Sequence, residues 1–395
     1  MMFMPPPASP PAPNPPPPAS FAGRWATSFG SMNLQQDGSR VTGTYGREGS
    51  ENTIEGTVAA GRFAFRYREA NEQGTGAFKL KRPGCFGGEY VAEGNPRTLP
   101  WQGWRDFDGL WDTSLGRLRL VQDAGRVWGS SEWDATARIE GDVEEGRRLR
   151  FRLEAPKLQG RGVLELDPLG YALGGEWIED GQPARPLGGQ RLMPRPALTW
   201  LVVLEAHWQR ALDDSEFAFG HMLHELFARL PRAQVRHRFY HDEASLLHWC
   251  RQLLYLPEPA VLVITGHGET SGLAVGGKII ALTGIVDSLR FADGLRLLHF
   301  SSCLVGQDAG QVLREAPFAV SGYTTTVDWA QSALTEFIYL DMILEKGLTP
   351  AEAARQLLRL VRFAGTEDLP GSPYRPAGFC FFGFDTEPVG LAATA

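Results

Sequence analysis

The chain has 395 residues, 43% of them hydrophobic and 22% charged, and its formal net charge is −7. This length allows two or three domains, each with its own hydrophobic core. The acidic balance argues against nucleic acid or an anionic membrane surface as the main partner, because both need a concentrated basic face. The 4 cysteines lie far apart without Cys-x-x-Cys spacing, which fits neither a disulfide framework nor a structural zinc site and favours a reducing compartment.

No stretch of the sequence has the composition of a signal peptide or the length of a membrane span. We therefore expect a soluble, cytoplasmic protein. Residues 1–20 consist mainly of Pro, Ala and Ser, which favours a disordered tail, with a ligand for an SH3-type domain as the alternative. We divide the remainder into two repeats (21–105 and 106–193), a third domain (197–387) and a short tail (388–395).

The two repeats appear when the sequence is laid over itself with an offset of 86 positions (107 − 21). The run Phe21-Ala-Gly-Arg-Trp25 returns as Phe107-Asp-Gly-Leu-Trp111. Within each copy, short segments alternate apolar and polar residues between Gly, Asp and Asn turn signals. This pattern predicts an antiparallel meander of six to eight strands, which avoids an exposed edge by closing into a small barrel or by pairing with its twin.

The opening of each repeat resembles the first hairpin of avidin-like and lipocalin-like barrels. The resemblance rests on Gly-x-Trp followed by alternating strands and, in the first copy, the run Val41 to Tyr45. It implies a ligand or partner at the β repeats. Seven of the 11 tryptophans lie in this half of the chain, and they either line an aromatic pocket or fill the barrel cores. The general burial tendency of Trp favours the cores.

After Pro194-Arg-Pro196 the pattern changes to continuous apolar runs that alternate with helical spacing. This predicts an α/β sandwich with a mostly parallel sheet covered on both faces. The predicted strands are Leu201–Leu204, Val235–Phe239, Ala260–Thr265, Leu295–Phe300, Phe318–Tyr323 and Gly378–Phe384. A Gly-rich hairpin is predicted at Gly272–Ile280. The predicted helices are Ser215–Leu230, a helix capped by Asp242 that runs to Leu254, Thr283–Arg290, Gln331–Lys346, and Pro350–Phe363 with Thr349 as its cap.

Two of these strands end in a reactive side chain, His267 and Cys303. Loops from the carboxyl ends of parallel strands converge on one crevice, so both side chains should reach one bound peptide. A thiol is a capable nucleophile and histidine is the acid and base suited to neutral pH. A lone Cys after an apolar strand is usually a buried small hydrophobe, but the pair on successive strands is more specific. The small residues around the pair let a substrate backbone approach, and the amide of Gly268 is placed to hold an oxyanion.

The same residues resemble the caspase-like (clan CD) cysteine peptidases. The run Thr265-Gly-His-Gly-Glu269, a Gly-rich hairpin, a helix and a strand ending in Ser301-Ser-Cys303 carry this resemblance, which covers residues 198–385. The later strand with Val320-Ser-Gly322 and the Ala-rich helix after Pro350 look most like the bacterial CHAT domains. The resemblance implies that Cys303 attacks the scissile carbonyl and that His267 protonates the leaving amine and then helps to activate water. It also implies an oxyanion hole formed by the amides of Gly268 and Cys303, with no cofactor or metal.

One departure from this family concerns substrate preference. Caspases surround the nucleophile with Gln-Ala-Cys-Arg-Gly, whereas this chain has Ser301-Ser-Cys-Leu-Val-Gly306. A preference for Asp before the cleaved bond is therefore not supported. Asp328 either selects Arg or Lys there, as in separase-like enzymes, or is a solvated loop residue.

Other motifs are weaker. The run Gly266 to Gly272 is one residue off the dinucleotide fingerprint and lacks the following helix. His221 and His224 match no zinc peptidase motif, and no Gly-x-Ser-x-Gly elbow occurs.

The sequence thus predicts a bacterial, cytoplasmic cysteine endopeptidase that acts on peptide or protein substrates. Its β repeats regulate it, hold it as a zymogen, or recruit a substrate or activating partner. The alternative is a catalytically silent caspase-like scaffold whose β repeats bind a ligand or partner.

Overall fold

The computed structural model describes residues 20–47, 49–50, 52–95, 97–145, 147–195, 197–207, 218–307, 310–314, 316–327, 329–363 and 378–383. Within these residues, two closed antiparallel β-barrels precede an α/β domain with a mostly parallel sheet, as predicted. The predicted tail 388–395, all but the last residue of the tail 1–20, and Asp328 lie outside the described residues. No helix in the described part of the chain is long and apolar enough to cross a membrane.

Each barrel is an up-and-down barrel of eight strands within the described residues, closed by pairing of its first and last strands. The first barrel contains β1 Gly23–Thr27, β2 Gly30–Asp37, β3 Arg40–Gly46, β4 Asn52–Ala59, β5 Arg62–Arg68, β6 Gln73–Arg82, β7 Cys85–Ala92 and β8 Leu99–Trp104. The second contains β9 Gly109–Thr113, β10 Gly116–Asp123, β11 Arg126–Ser131, β12 Arg138–Glu144, β13 Arg148–Ala155, β14 Leu158–Leu166, β15 Ala172–Glu179 and β16 Arg185–Arg191.

The repeated residues make the same contacts in both barrels. Trp25 Nε1 donates to the carbonyl of Phe21 at 2.9 Å, and the guanidinium of Arg105 lies 3.7 Å from the centre of the Trp25 ring. These contacts hold the segment that enters the barrel at Phe21 against Arg105, which follows the last strand of the barrel. The second barrel repeats these contacts, at 2.9 Å and 4.3 Å, with Phe107, Trp111 and Arg191.

Aromatic side chains fill the first barrel and branched apolar side chains predominate in the second. Trp25, Trp101 and Trp111 are at most 1% exposed, so the prediction that tryptophans build the barrel cores is confirmed for them. Trp128 and Trp133 differ, because they are 38% and 43% exposed.

Glycine at Gly175 lets neighbouring strands of the second barrel approach closely. A Cβ on Gly175 would lie 1.9 Å from the carbonyl oxygen of Val163, whereas one on the preceding Gly174 would meet nothing within 4 Å. We expect Gly175→Ala to lower the free energy of unfolding by about 1–3 kcal/mol, as overpacking does. Gly174→Ala is the matched control and should change it by less than about 0.5 kcal/mol. Urea unfolding measures both; equal effects would contradict this account of barrel closure.

The α/β domain contains a six-stranded sheet, within the described residues, in the order β18-β17-β19-β23-β24-β25. All pairs are parallel except β24 with β25. Its strands are β17 Thr199–Ala206, β18 Ala233–Tyr240, β19 Ala260–Thr265, β23 Leu295–Ser301, β24 Ala319–Tyr323 and β25 Phe379–Phe382. A separate three-stranded sheet contains β20 His267–Glu269, β21 Gly272–Val275 and β22 Lys278–Ala281. The helices are α1 Phe219–Phe227, α2 Glu243–Gln252, α3 Leu282–Leu289, α4 Gly310–Arg314, α5 Trp329–Leu344 and α6 Pro350–Phe363.

Helices cover both faces of the six-stranded sheet, as predicted. Alternate residues of β17 face opposite sides. Leu201 and Val203 pack with α1, α5 and α6, and Val202 and Leu204 pack with α2 and α3. The predicted cap at Asp242 is also confirmed, because its carboxylate accepts the N–H of Ser245 at 2.8 Å.

Three details differ from the sequence prediction. The Gly-rich hairpin forms as β21 and β22, but β20 joins it as a third strand because His267 and Glu269 lie in register with Ala274 and Gly272. The predicted helix 215–230 begins at Phe219 in the described residues and ends at Phe227. The short helix α4 was not predicted.

Candidate active site

His267 and Cys303 follow two strands that pair directly. Thr265 on β19 and Ser301 on β23 are partners in the parallel register. His267 and Cys303 each lie two residues beyond these partners, at the carboxyl ends of strands spaced about 4.8 Å apart. The structure therefore brings the two predicted residues to one rim of the sheet, beside the point between β17 and β19 where the strand order reverses. Such reversal points form ligand crevices in α/β sheets.

Gly268 and the peptide of Cys303 are in direct contact. A Cβ added to Gly268 would lie 2.0 Å from the carbonyl oxygen of Cys303 and 2.9 Å from its nitrogen. The sequence suggested that glycine here admits a substrate backbone. In the structure, the space is already taken by the backbone that carries the thiol, so glycine is required for the two loops to meet.

Tyr240 supports the loop that carries His267. Its hydroxyl donates to the carbonyl of Thr265 at 3.1 Å, and a Cβ on Gly266 would lie 2.7 Å from the same hydroxyl oxygen. The loop then enters β20, where pairing with β21 fixes the backbone of His267 while its side chain remains exposed. Sequence inspection missed Tyr240, which lies on a different strand.

Cys303 begins a tight turn in which its side chain is half-buried. The N–H of Val305 donates to the carbonyl of Cys303 at 2.7 Å, and Leu304 between them has φ = 62°, a conformation that non-glycine residues adopt rarely. Strained backbone of this kind clusters at functional sites and persists only where the surroundings hold it. Here the N–H of Leu304 donates to the carbonyl of Thr325 at 3.1 Å, and that of Val327 donates to the Cys303 sulfur at 3.4 Å.

The other cysteines are in the protein interior. Cys85, Cys250 and Cys380 are buried, whereas Cys303 is half-buried. Burial raises the pKa of Cys250 to about 12, and it has the same effect on the pKa of Cys380. Burial also raises the pKa of Cys85. A buried thiol that keeps its proton is a poor nucleophile.

We therefore expect iodoacetamide to modify Cys303 in the folded protein and to leave the other three cysteines unmodified. Peptide mapping by mass spectrometry after short exposure at neutral pH measures the modification of each. Unfolding in urea provides the control, because all four thiols should then react at similar rates. Preferential labelling of Cys85 or Cys250 in the folded protein would contradict an accessible Cys303 thiol.

The two histidines of α1, His221 and His224, make other contacts. Asp328 lies outside the described residues. His221 packs against the ring of His237, with 4.9 Å between ring centres, and Nδ1 of His224 lies 3.7 Å from the carboxylate of Glu225. Across the described residues, no group of three or more His, Cys, Asp or Glu side chains is placed to hold a metal ion.

Asp293, in the loop between α3 and β23, joins both barrels to the α/β domain. Its carboxylate accepts Trp104 Nε1 at 2.8 Å and Arg82 at 2.6 and 2.9 Å, both from the first barrel, and contacts Arg119 of the second. Asp293 is only 6% exposed. Burial disfavours its charge, but Arg119 and Arg82 outweigh burial and hold the pKa of Asp293 well below its usual range.

The barrels contact the amino-terminal edge of the sheet, opposite the His267–Cys303 rim. Arg296 at the start of β23 pairs with Glu89 of the first barrel at 2.8 Å. Thr98 of the same barrel donates its N–H to the carbonyl of Gly347, after α5, at 3.3 Å. At about 3.3 Å per residue, the path along β23 from Arg296 to Cys303 is about 23 Å long. The contacts between the described residues of the barrels and the sheet thus lie at the end of the sheet away from the rim.

A groove of about 750 Å³ lies between the second barrel and the helices α2 and α3. The exposed rings of Trp128 and Trp133 line it on the barrel side, and His248, Arg251 and Asp287 line it on the helix side. Tyr255 ties the two walls together through a hydrogen bond of 2.8 Å to Ser130.

No protein-family model matches the chain, and no curated protein matches its sequence. Among solved structures, the chain is similar to the Myxococcus xanthus hemagglutinin in complex with α3,α6-mannopentaose, at 10% identity and a TM-score of 0.15, over 43% of this chain and 92% of that one. It is also similar to the CS-b5R domains of human Ncb5or in the NAD+ form, at 10% identity and a TM-score of 0.12, over 72% of this chain and 95% of that one. TM-scores of this size do not establish a shared fold, so neither similarity bears on function.

Proposed function

We propose that the chain is a caspase-like cysteine endopeptidase of the CHAT type, with Cys303 as nucleophile and His267 as acid and base. The single observation that carries the proposal is the equal placement of both residues two positions beyond the paired Thr265 and Ser301. The contact between Gly268 and the peptide of Cys303 supports it, because it brings the two loops together.

The reaction proceeds in two steps. The thiol of Cys303 gives its proton to His267 as its sulfur bonds to the scissile carbonyl carbon, and the carbon–nitrogen bond breaks as His267 passes that proton to the leaving amine. Water then attacks the thioester while His267 accepts one of its protons, and the carbon–sulfur bond breaks as that proton returns to the sulfur, which releases the acid and restores the thiol. A charged oxygen develops in both steps, so two fixed N–H donors near Cys303 accelerate both.

The hairpin geometry supports Gly268 as one of those donors. A hairpin with a two-residue loop is closed by a hydrogen-bonded pair, here Glu269 and Gly272, and hydrogen-bonded pairs alternate with non-bonded pairs along the ladder. The pair of Gly268 with Leu273 is then non-bonded, so the N–H of Gly268 points away from β21, toward the open edge of the three-stranded sheet. The N–H of Cys303 is the second donor.

The barrels regulate this centre from a distance in our proposal. They hold the amino-terminal edge of the sheet at Asp293 and Arg296, and Arg296 lies about 23 Å along β23 from Cys303. Direct recruitment of the scissile peptide by the barrels would require a substrate that spans this distance. Control through the position of β23, or recruitment of a large partner, fits the geometry better.

The second candidate function is a scaffold whose α/β domain performs no chemistry and whose barrels bind a ligand or partner. The observation in its favour is the groove with the exposed rings of Trp128 and Trp133. Its concave, mostly apolar character is typical of ligand sites.

A fluorogenic peptide library that varies the residue before the cleaved bond separates the two functions. The peptidase proposal predicts cleavage of at least one member by the native chain and none by Cys303→Ala. No cleavage of any member, with and without added cell lysate as a source of activator, would favour the scaffold. A preference for Arg or Lys before the cleaved bond would support the predicted role of Asp328. Asp328→Asn should then abolish that preference.

A further inference from the structure

A cluster of polar side chains is buried in the core of the α/β domain beneath Cys303. His299 on β23, Ser321 on β24 and Glu336 on α5 are each at most 1% exposed. Nδ1 of His299 lies 2.8 Å from the hydroxyl of Ser321, and its Nε2 lies 3.3 Å from Oε1 of Glu336 without hydrogen-bond alignment. Tyr323 donates its hydroxyl to the same carboxylate oxygen at 3.0 Å.

These four residues join the three elements that surround Cys303. His299 and Ser321 are the last partners in the parallel register between β23 and β24, so their side-chain contact lies where backbone pairing stops. Cys303 is four residues further along the same chain. Tyr323 also accepts the N–H of Gly306 through its carbonyl oxygen at 2.9 Å, which fixes the far end of the nucleophile turn.

Helix α5 extends this connection to the sulfur itself. Glu336 lies two turns inside α5, and the helix begins two residues after Val327, whose N–H contacts the sulfur of Cys303. The Glu336 contacts with His299 and Tyr323 thus fix α5 against the strands that flank the turn. The φ of 62° at Leu304 requires such support, because a strained conformation persists only where its surroundings determine it.

Hydrophobic packing alone does not explain this cluster. Apolar side chains of similar size often stabilise a core at least as well as a buried ion pair does, and buried polar groups can instead specify one arrangement of a core. Elsewhere β23 buries leucine and phenylalanine. The polar cluster at His299 therefore serves to fix the arrangement of the elements that meet there.

We propose that His299, Ser321, Tyr323 and Glu336 are positioning residues that hold the Cys303 turn in its reactive geometry. The inference rests on the proposed function only for calling Cys303 a nucleophile. The ordering of the turn is a separate physical property, and it is measured without any substrate.

Hydrogen–deuterium exchange of the full chain tests this ordering. The variants Ser321→Ala and Glu336→Leu should increase exchange of the amides of Leu304, Val305 and Gly306 at least about tenfold, with smaller changes in the barrels. Glu336→Gln retains an acceptor for Tyr323 and should restore most of the protection. Thr335→Val is the matched control, because the buried hydroxyl of Thr335 on α5 donates within its own helix, to the carbonyl of Gln331 at 2.8 Å.

Peptide cleavage provides the second readout. Ser321→Ala should lower kcat about tenfold with KM unchanged, whereas Thr335→Val should change neither. The proposal would be overturned if the amides of the Cys303 turn exchanged no faster in Ser321→Ala and Glu336→Leu than in Thr335→Val. It would also be overturned if exchange in these variants rose equally throughout the sheet. Should Glu336→Leu fail to fold, Ser321→Ala, which removes one oxygen atom, decides the question. Absence of cleavage by the native chain would end the proposed function and leave the exchange result to decide the positioning role.

Discussion

Cys303→Ala and His267→Ala should each reduce peptide cleavage at least about 1,000-fold, because each removes one half of a nucleophile and base that act as a unit. Residues of such a unit are strongly non-additive, so the double variant should be no slower than the slower single variant. Initial rates on the best library peptide, measured with excess enzyme, provide this comparison.

Two matched variants separate chemistry from folding in this experiment. Cys250→Ala removes a buried thiol on α2, and His248→Ala removes a histidine from the same helix, away from the rim. Both should retain cleavage within about twofold of the native rate. Retained activity in either Cys303→Ala or His267→Ala would refute the mechanism.

Asp293→Ala should have the largest effect on stability, about 3–5 kcal/mol, because it leaves buried arginines of two barrels without their common partner. Arg82 retains its contact with Asp108, but Arg119 loses its only ion pair among the described residues. The expected result is earlier unfolding in urea, with the barrels and the α/β domain separating. Asp287→Ala is the control, because Asp287 forms an exposed pair with Arg290 that contributes at most about 1 kcal/mol.

The pH dependence of Asp293→Asn follows from the depressed pKa of this carboxyl in the folded chain. The ionised group stabilises the folded state fully above its unfolded pKa of about 3.9, and the contribution is lost as the pH falls through the lower folded value. The difference in stability between the native chain and Asp293→Asn should therefore be constant from about pH 5 to 8 and decrease only below about pH 4. A difference that disappears between pH 5 and 8 would contradict the ion-pair account.

The parts of the fold that depend on local pattern were predictable from the sequence. The offset of 86 positions indicated two copies, and both form the same Phe–Trp hydrogen bond at their start. Alternating apolar residues in each copy predicted the antiparallel meander, and continuous apolar runs such as Ala260–Thr265 predicted the parallel sheet. His267 and Cys303 were identified because a reactive residue at a strand end needs only local information to be recognised.

Contacts between distant segments were not predictable. The sequence does not distinguish Asp293 from an ordinary loop residue. It becomes important in the folded chain, where Arg82 and Arg119 from two different barrels contact its carboxylate. The left-handed turn at Leu304 carries no glycine to mark it. One signal was available and missed: His299 is a polar residue inside an otherwise apolar strand end, Leu297-Leu-His-Phe300, which favours a buried polar partner.

The most direct test of Cys303 as the nucleophile compares its chemical modification with the activity that remains. The native chain is treated with iodoacetamide for increasing times, and each sample is divided between peptide mapping and a cleavage assay. The account predicts that residual cleavage falls in direct proportion to the fraction of Cys303 that is modified. A cleavable peptide present during the treatment should slow both the modification of Cys303 and the loss of cleavage activity. Full cleavage activity in a sample whose Cys303 is completely modified would contradict it.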